Sequence, residues 1–430
     1  MPTVEELDEI RRDLSAAIGQ AKKAGQDASH LIARHREVGR RIERLRSDED
    51  AATAGEIVTE TICDAGTFRD LRREWTDLVE RSDVATPFVL WEWLWPWWSV
   101  YGAGRELLLV ASRLDGRLVG VAPLMVGLSK RGKLDRSLIG FVGTGERAEG
   151  DYFSLIVDRG LGDQVRRALW DEISELMGRD GLRLCLQHVV IGNHEADGLT
   201  RMAAADGAHI GVRPGRNSVL GPLPGTFEEF LQAVPSKNRR YYLRYQRERL
   251  TEALGEVVHQ VAEDQPGLDR VLVAMERFSR QRLAREKQES AWADERFVRC
   301  MRLACPLMLE RGALRAESLD LDGEPIAALI GFVHGATYFC YQMALDPAHA
   351  ERSPGHCLIE LCIRWCIEEG LDTFDFLAGE HEYKRSYFSG RRRLADVSVF
   401  WPTPRSLWRT GLGYIAEACK SKAKSVLGRA

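Results

Sequence analysis

The chain has 430 residues and a formal net charge of -4, which points to more than one domain and excludes a partner selected by bulk charge. Its nine cysteines form no C-x-x-C pair and are odd in number, so they are expected to fill core positions rather than to build a disulfide framework. No apolar run approaches the ~20 residues of a membrane-spanning helix. The acidic, amphipathic start lacks the apolar centre of a signal peptide, and the expected location is the cytoplasm.

Residues 1–50 read as a helical hairpin. Leu7, Ile10, Leu14 and Ile18 recur at helical spacing, Gly25 and Asp27 mark a turn, and Leu31, Val38, Ile42 and Leu45 line a second helix. The narrow apolar seam favours packing or self-association, and so a homo-oligomer joined through this hairpin. The tip, residues 18–28, resembles the helical arm of seryl-tRNA synthetases, which grips tRNA, and the second helix is rich in arginine.

After a polar linker, residues 56–212 read as a first domain. A strand (56–63) and a helix (66–81) precede an aromatic segment, 88–98, that holds five of the eleven tryptophans. Trp91 and Trp95 are candidates to line a ligand slot, although such a helix is more often core. A hairpin follows, with strands 106–113 and 118–126 around Asp115-Gly116, a favoured tight-turn pair. Strands 138–142 and 151–157, a helix over 161–177 and a strand over 182–188 complete the unit. Residues 189–215 read as irregular, with a short helix at 198–206.

Residues 213–403 repeat the plan. Helices are expected at 227–233, 236–250, 267–285 and 295–311, and strands at 257–261, 314–321, 325–334 and 338–345, with Asp322-Gly323 as the second hairpin turn. A helix over 357–369 and a strand around 374–376 close the repeat, and 404–430 is a packing helix. The parallel order of elements indicates an α+β fold duplicated in tandem.

One stretch of the second copy carries the chemistry. A strand bearing Tyr341 runs into Arg352-Ser353-Pro354-Gly355-His356 at the start of an apolar helix. The free N–H groups of such a helix start, with its dipole, suit a phosphate. The next strand leads into Gly379-Glu380-His381-Glu382-Tyr383-Lys384, a dense ionisable loop. The helix 236–250 is basic and carries tyrosines, with Lys237 and Arg240 near its start, and it suits CoA phosphates, an anionic glycan or tRNA. No metal signature is present, since His381 has no second spaced histidine.

The segment 88–98, Val119-Gly120-Val121-Ala122-Pro123-Leu124, Phe141-Val142-Gly143 and Asp151 resemble the first half of the CelD-like acetyltransferases. Ser236-Lys237-Asn238-Arg239-Arg240, Arg352-Ser353-Pro354-Gly355 and Asp375-Phe376-Leu377-Ala378-Gly379 with Tyr383-Lys384 resemble the second half. This family belongs to the GNAT superfamily and is related to the FemABX aminoacyl transferases. The resemblance implies two tandem GNAT-like domains, acetyl-CoA or another acyl-CoA as co-substrate, and an amine or hydroxyl acceptor on a sugar, polysaccharide or cell-envelope precursor. An aminoacyl-tRNA donor and a non-catalytic scaffold are the alternatives. It places Arg352, Ser353, Gly355 and His356 at the CoA phosphates, although Pro354 removes one backbone donor. Acyl transfer needs a base, a carbonyl-polarising donor and an acid. Asp375, Glu380 and Tyr383 are the candidates for catalysis, with binding to backbone or Lys384 as the alternative role for Asp375. Trp91, Trp95, Asp151, Lys237, Arg240, Tyr341 and Lys384 are expected to face the acceptor.

Overall fold

A computed structural model describes residues 55–401 apart from 131–132, 193, 236 and 287–289, together with positions 10, 12–15, 17 and 38. The expected N-terminal hairpin and its role in self-association lie almost wholly outside the described residues, as does the expected helix at 404–430.

The first half consists of β1 (Ile57–Ile62), α1 (Ala65–Asp70), α2 (Arg72–Glu80), α3 (Trp91–Tyr101), β2 (Glu106–Leu114), β3 (Arg117–Lys130), β4 (Lys133–Phe141), β5 (Ile156–Val157), α4 (Gly162–Asp180), β6 (Arg183–Val190), α5 (His194–Ala205) and β7 (His209–Pro222). A pair of linking helices follows, α6 (Phe227–Ala233) and α7 (Lys237–Leu254). The second half runs through β8 (Val257–Val261), α8 (Gln265–Glu286), α9 (Glu295–Glu310), β9 (Leu314–Leu321), β10 (Glu324–His334) and β11 (Thr337–Leu345). It ends with α10 (Pro354–Glu368), β12 (Thr373–Ala378), α11 (Glu382–Arg385) and β13 (Gly390–Phe400).

The strands form one sheet in the order β1-β2-β3-β4-β6-β13-β7-β12-β11-β10-β9-β8, with β5 beside β3. Read from either edge, this order passes through equivalent elements of the two halves, so the duplication is a pseudo-two-fold axis through the sheet. Both tight hairpins are built alike. Asp115 and Asp322 take positive φ (50° and 51°), and each is followed by a glycine that does the same, Gly116 at 81° and Gly323 at 80°. Two successive residues of positive φ match the twist of the flanking strands, which is why Asp-Gly stands at both turns.

The centre of the sheet holds an exchange. β13, the last strand of the second half, lies between β6 and β7 of the first, and β7 in turn lies between β13 and β12. The sequence pattern predicts no strand over 390–400. It also reads the start of β7 as irregular, with a domain boundary at 212/213 that falls inside the strand. Gly211, Pro214 and Gly215 disguise β7. Pro214 sits where the register against β13 shifts, one of the few places where a sheet tolerates proline. Asp151 to Leu155, expected to be extended, form a loop, and only Ile156–Val157 pair as a strand.

Helices cover the sheet through apolar faces. α4 buries Val165, Leu169, Trp170, Ile173 and Met177, and α10 buries Leu358, Ile359, Cys362, Ile363 and Cys366. The halves also meet through rings: Phe88 and Trp93 pack edge-on against Phe332 with centroids 5.9 and 5.6 Å away, and Trp93 packs on Tyr341 at 5.2 Å. Cys300, Cys305, Cys340, Cys357, Cys362 and Cys366 are buried free thiols. No helix among the described residues is long and apolar enough to cross a membrane.

Removing β13 would leave the facing edges of β6 and β7 without their ladder. A chain truncated after Ser389 is expected to lose cooperative unfolding in both halves, measured by urea titration and limited proteolysis. A first half that stayed protease-resistant and unfolded cooperatively would contradict the exchange as a shared stabilising element.

Candidate active site at the seam of the two halves

β11 and β12 run parallel and pair only at Thr337, Tyr338 and Phe339 with Thr373, Phe374 and Asp375, after which they diverge. Where they part, β11 carries one extra residue: Ile330 faces Gln342 and Gly331 faces Cys340, so Tyr341 stands unmatched in a bulge. The opening is a cleft of about 450 Å³ lined by Glu149, Asp151, Arg216, Tyr341, Lys384 and residues 376–378, among others. The first half supplies one wall and the second half the other.

Three residues beside this cleft hold backbone conformations that side chains other than glycine seldom adopt: Tyr152, His188 and Leu377, at φ 65°, 56° and 59°. His188 and Leu377 lie at register shifts in β6 and β12, which are equivalent strands of the two halves. The two bulges flank the β13–β7 pair, and residues 151 and 152 touch the backbone at both. Strain of this kind persists where surrounding contacts fix it, and it concentrates at functional sites. Here the contacts are explicit. Tyr152 N–H donates to His188 O (2.9 Å), and Ala378 N–H donates to Asp151 Oδ2 (2.9 Å).

The ionisable groups form two layers. At the cleft, His188 stands between Glu149 and Asp151, with Nε2 3.5 Å from Glu149 Oε1 and Nδ1 3.7 Å from Asp151 Oδ1. Arg216 Nη2 lies 2.8 Å from Glu149 Oε1. Burial pushes the Asp151 carboxyl up. Burial also opposes charge on Glu149 and His188, but their mutual attraction outweighs it, so Glu149 is held below its usual range and His188 above. Asp151 Oδ1 is buried without a hydrogen-bond partner among the described residues. Lys384, also buried, donates to Phe376 O (2.7 Å) and Ala378 O (3.1 Å), which commits two of its three N–H bonds. Burial lowers its pKa.

Behind the cleft lies Asp375, fully buried. Its Oδ1 accepts from Tyr152 O–H (2.9 Å) and Leu377 N–H (2.7 Å), and its Oδ2 accepts from Arg392 at 3.3 Å. Burial outweighs these partners and pushes its carboxyl up to about 6.

The expected site residues separate into groups. Asp151, Tyr341 and Lys384 line the cleft. Asp375 stands behind it. Glu380 accepts from Asn217 (2.9 Å) and pairs with Arg391 (2.9 Å), and the Tyr383 ring packs against Phe376. Trp91 is buried with its indole N–H on Phe68 O (2.9 Å) and stacks on Trp95, away from the cleft lining. Lys237 and Arg240 flank a separate groove between α6 and α7. Arg352, Ser353, Gly355 and His356 surround the start of α10, where Gln246 of α7 donates to Ser353 O (3.1 Å) and His356 Nδ1 lies 2.6 Å from the Tyr387 hydroxyl. A Cβ on Gly355 would come within 3.1 Å of Met343 Sδ, so packing against β11 already favours glycine there. Glu149, His188 and Arg216 are functional candidates that the sequence pattern does not mark. His188 has a readable signal only as a histidine ending a strand, and nothing local ties Arg216 to Glu149.

Residues 237–385 match the family described as an acetyltransferase (GNAT) domain. Among solved structures similar to the whole chain is that of FemX, with a TM-score of 0.59 at 12% identity, covering 82% of this chain and 99% of that one. Another is a conserved protein of unknown function from Bacteroides thetaiotaomicron VPI-5482, with a TM-score of 0.51 at 12% identity, covering 79% of this chain and 100% of that one. No curated protein sequence matches the chain. The chain is thus built on the GNAT fold, in two tandem copies with exchanged strands.

The raised carboxyl of Asp375 has a consequence for stability. Its folded pKa lies above the ordinary value of 3.8, so its contribution is fully present below about pH 4 and is lost as pH rises through about 6. Relative to Asp375→Asn, the wild type is expected to lose on the order of 2 kcal/mol between pH 4 and pH 7. Urea unfolding of both proteins across that range tests this, and a constant difference would show that Asp375 does not titrate there.

Proposed function

We propose that the protein is an acyltransferase that moves an acetyl or other acyl group from acyl-CoA to an amine or hydroxyl of a sugar, polysaccharide or cell-envelope precursor. The observation that carries the reading is Asp151. One of its carboxylate oxygens is fixed by Ala378 N–H, the other is buried and unbonded among the described residues, and the residue lines a cleft opened by two diverging strands. Such an oxygen is prepared to accept a proton.

The residues around α10 fit the phosphates of a CoA. The dipole at the helix start favours an anion, although Pro354 has no N–H and the N–H of His356 is held by Ser353 O (3.1 Å). Arg352 is exposed on the preceding turn, and Arg247 of α7 lies close enough to Cys357 and Glu360 to act on both electrostatically. When bound, an acyl-CoA supplies a thioester. Asp151 accepts the acceptor's proton as the acceptor nitrogen or oxygen bonds to the acyl carbon and the carbon–sulfur bond breaks. Lys384 directs its remaining N–H toward the charge that develops on the carbonyl oxygen or the departing sulfur. His188 and Glu149 set the electrostatics of Asp151, and Asp375 is a positioning residue that fixes Tyr152 and the Leu377 bulge.

With acetyl-CoA and a panel of amino sugars and amines, Asp151→Asn is expected to lower the rate of thiol release ~100- to 10,000-fold while acetyl-CoA binding is kept. Glu380→Gln, outside the cleft lining, is expected to change it little. Full turnover by Asp151→Asn would remove Asp151 from the chemistry.

A second reading, transfer from an aminoacyl-tRNA, is favoured by one surface. On α7, Tyr241 (62% exposed) and Tyr245 lie with ring centroids 4.9 Å apart, beside Lys237, Arg240 and Arg244. Exposed aromatics among basic side chains suit single-stranded nucleic acid. Binding of a bulk tRNA fraction that weakens steeply with salt, and further with Tyr241→Ala, would support this donor. Salt-independent or absent binding would leave acyl-CoA.

A further inference from the structure

His356, the third residue of α10, has one ring nitrogen committed and the other open. The residue is half-buried, and its Nδ1 lies 2.6 Å from the Tyr387 hydroxyl. Tyr387 is buried, and His356 is the hydrogen-bond partner of its hydroxyl among the described residues. A buried O–H that accepted from the imidazole would leave its own hydrogen unpaired, so Tyr387 donates and Nδ1 accepts. Burial raises the phenol well above its usual range, which keeps that proton in place. The proton of a neutral ring then stands on Nε2, which has no hydrogen-bond partner among the described residues.

The surroundings keep the ring neutral. Tyr242 and Tyr383 meet it edge-on with centroids 6.2 Å away, and Tyr387 lies at 5.8 Å. Arg239 lies over the rings of Tyr242 and Tyr387. Burial and the Arg239 charge push the imidazole down to about 4. The backbone N–H of His356 is taken by Ser353 O (3.1 Å), so the ring is what this residue offers to a ligand. A phosphate gains most from a charged donor, whereas a single N–H without charge suits a carbonyl oxygen.

The position in the fold agrees. On one side is the turn that carries Arg352, with Ser353 in the left-handed region (φ 55°) and its carbonyl held by the buried amide of Gln246 (3.1 Å). On the other side, Tyr383 packs on both His356 and Phe376, and Phe376 lines the seam cleft with Lys384. His356 thus stands between the residues proposed for the phosphates and the residue proposed for the thioester. In an acyl-CoA that interval is spanned by the pantetheine arm, whose main acceptors are amide carbonyls.

We propose that His356 is a specificity-determining residue for the donor, its Nε2–H receiving an amide carbonyl of the pantetheine arm rather than a phosphate, a role that rests on acyl-CoA being the donor. Tyr387 is the positioning residue that sets the tautomer.

Nitrogen NMR of the full chain labelled in histidine reads that tautomer, with the His356 signals identified by their loss in His356→Phe. At neutral pH, Nδ1 is expected to be bare and Nε2 protonated, and Tyr387→Phe should mix the two tautomers. The opposite tautomer or a charged ring overturns the assignment, whether or not a donor binds. Acetyl-CoA is expected to move the Nε2–H signal, and the adenosine bisphosphate portion of CoA, which lacks the arm, is expected to leave it in place. By calorimetry, His356→Phe should weaken acetyl-CoA about fivefold or more without changing the bisphosphate. His356→Gln, whose amide keeps an N–H, should recover part of that loss. A loss shared by both probes, or a signal moved by the bisphosphate, gives His356 to a phosphate and overturns the assignment, as does acetyl-CoA binding that is indifferent to His356→Phe. A wild type with the expected tautomer that binds no acetyl-CoA overturns acyl-CoA as the donor, and the role of His356 with it.

Discussion

The β7–β13 ladder is the constraint on which the rest of the molecule depends. It joins the halves along its whole length, from Gly390 opposite Leu220 to Phe400 opposite His209. Each strand belongs by chain order to one half and by pairing to the other. The two GNAT-like copies therefore share backbone hydrogen bonds and cannot move as separate bodies without breaking a ladder. Cross-half ring packing around Phe88, Trp93, Phe332 and Tyr341 adds apolar contact to the same seam.

The site follows from this arrangement. β6 and β12 flank the central β13–β7 pair, and the loop ahead of β5 spans between them, delivering Glu149, Asp151 and Tyr152 from the first half to β12 of the second. The low-dielectric seam then decides the protonation states. Asp151 and Asp375 are both pushed toward the protonated form, while Glu149 and His188 stabilise each other's charge. Carboxyl groups with different partners can thus be held differently within a single seam.

Much of the fold was legible because the signals are local. Asp115-Gly116 and Asp322-Gly323 announce their hairpins, and the apolar spacing of α4, α9 and α10 announces helices. The centre was not legible. β7 contains Gly211, Pro214 and Gly215, and β13 opens with Arg391, Arg392 and Arg393 just after Gly390; what makes them strands is a partner in the other half. The site shows the same limit. Tyr341 and Lys384 follow from the strand–turn–helix pattern, and Asp151 was found through a family resemblance. No spacing brings Glu149 beside Arg216 or Tyr152 beside Asp375, since those contacts depend on how the two copies interlock.

The exchange also sets an order of events during synthesis. His188 N–H donates to the carboxylate of Asp396, 208 positions later in the chain. When the ribosome has released the whole first half, β6 and β7 still await the strand that belongs between them. They must remain apart, or pair wrongly and separate again, until residues 390–400 emerge. Closing so long a loop is slow, and exposed strand edges invite association with other chains in the interval. A fold that shares its central strands gains a rigid seam for chemistry and is committed to late, all-at-once completion, which makes its nascent chain a natural client for chaperones.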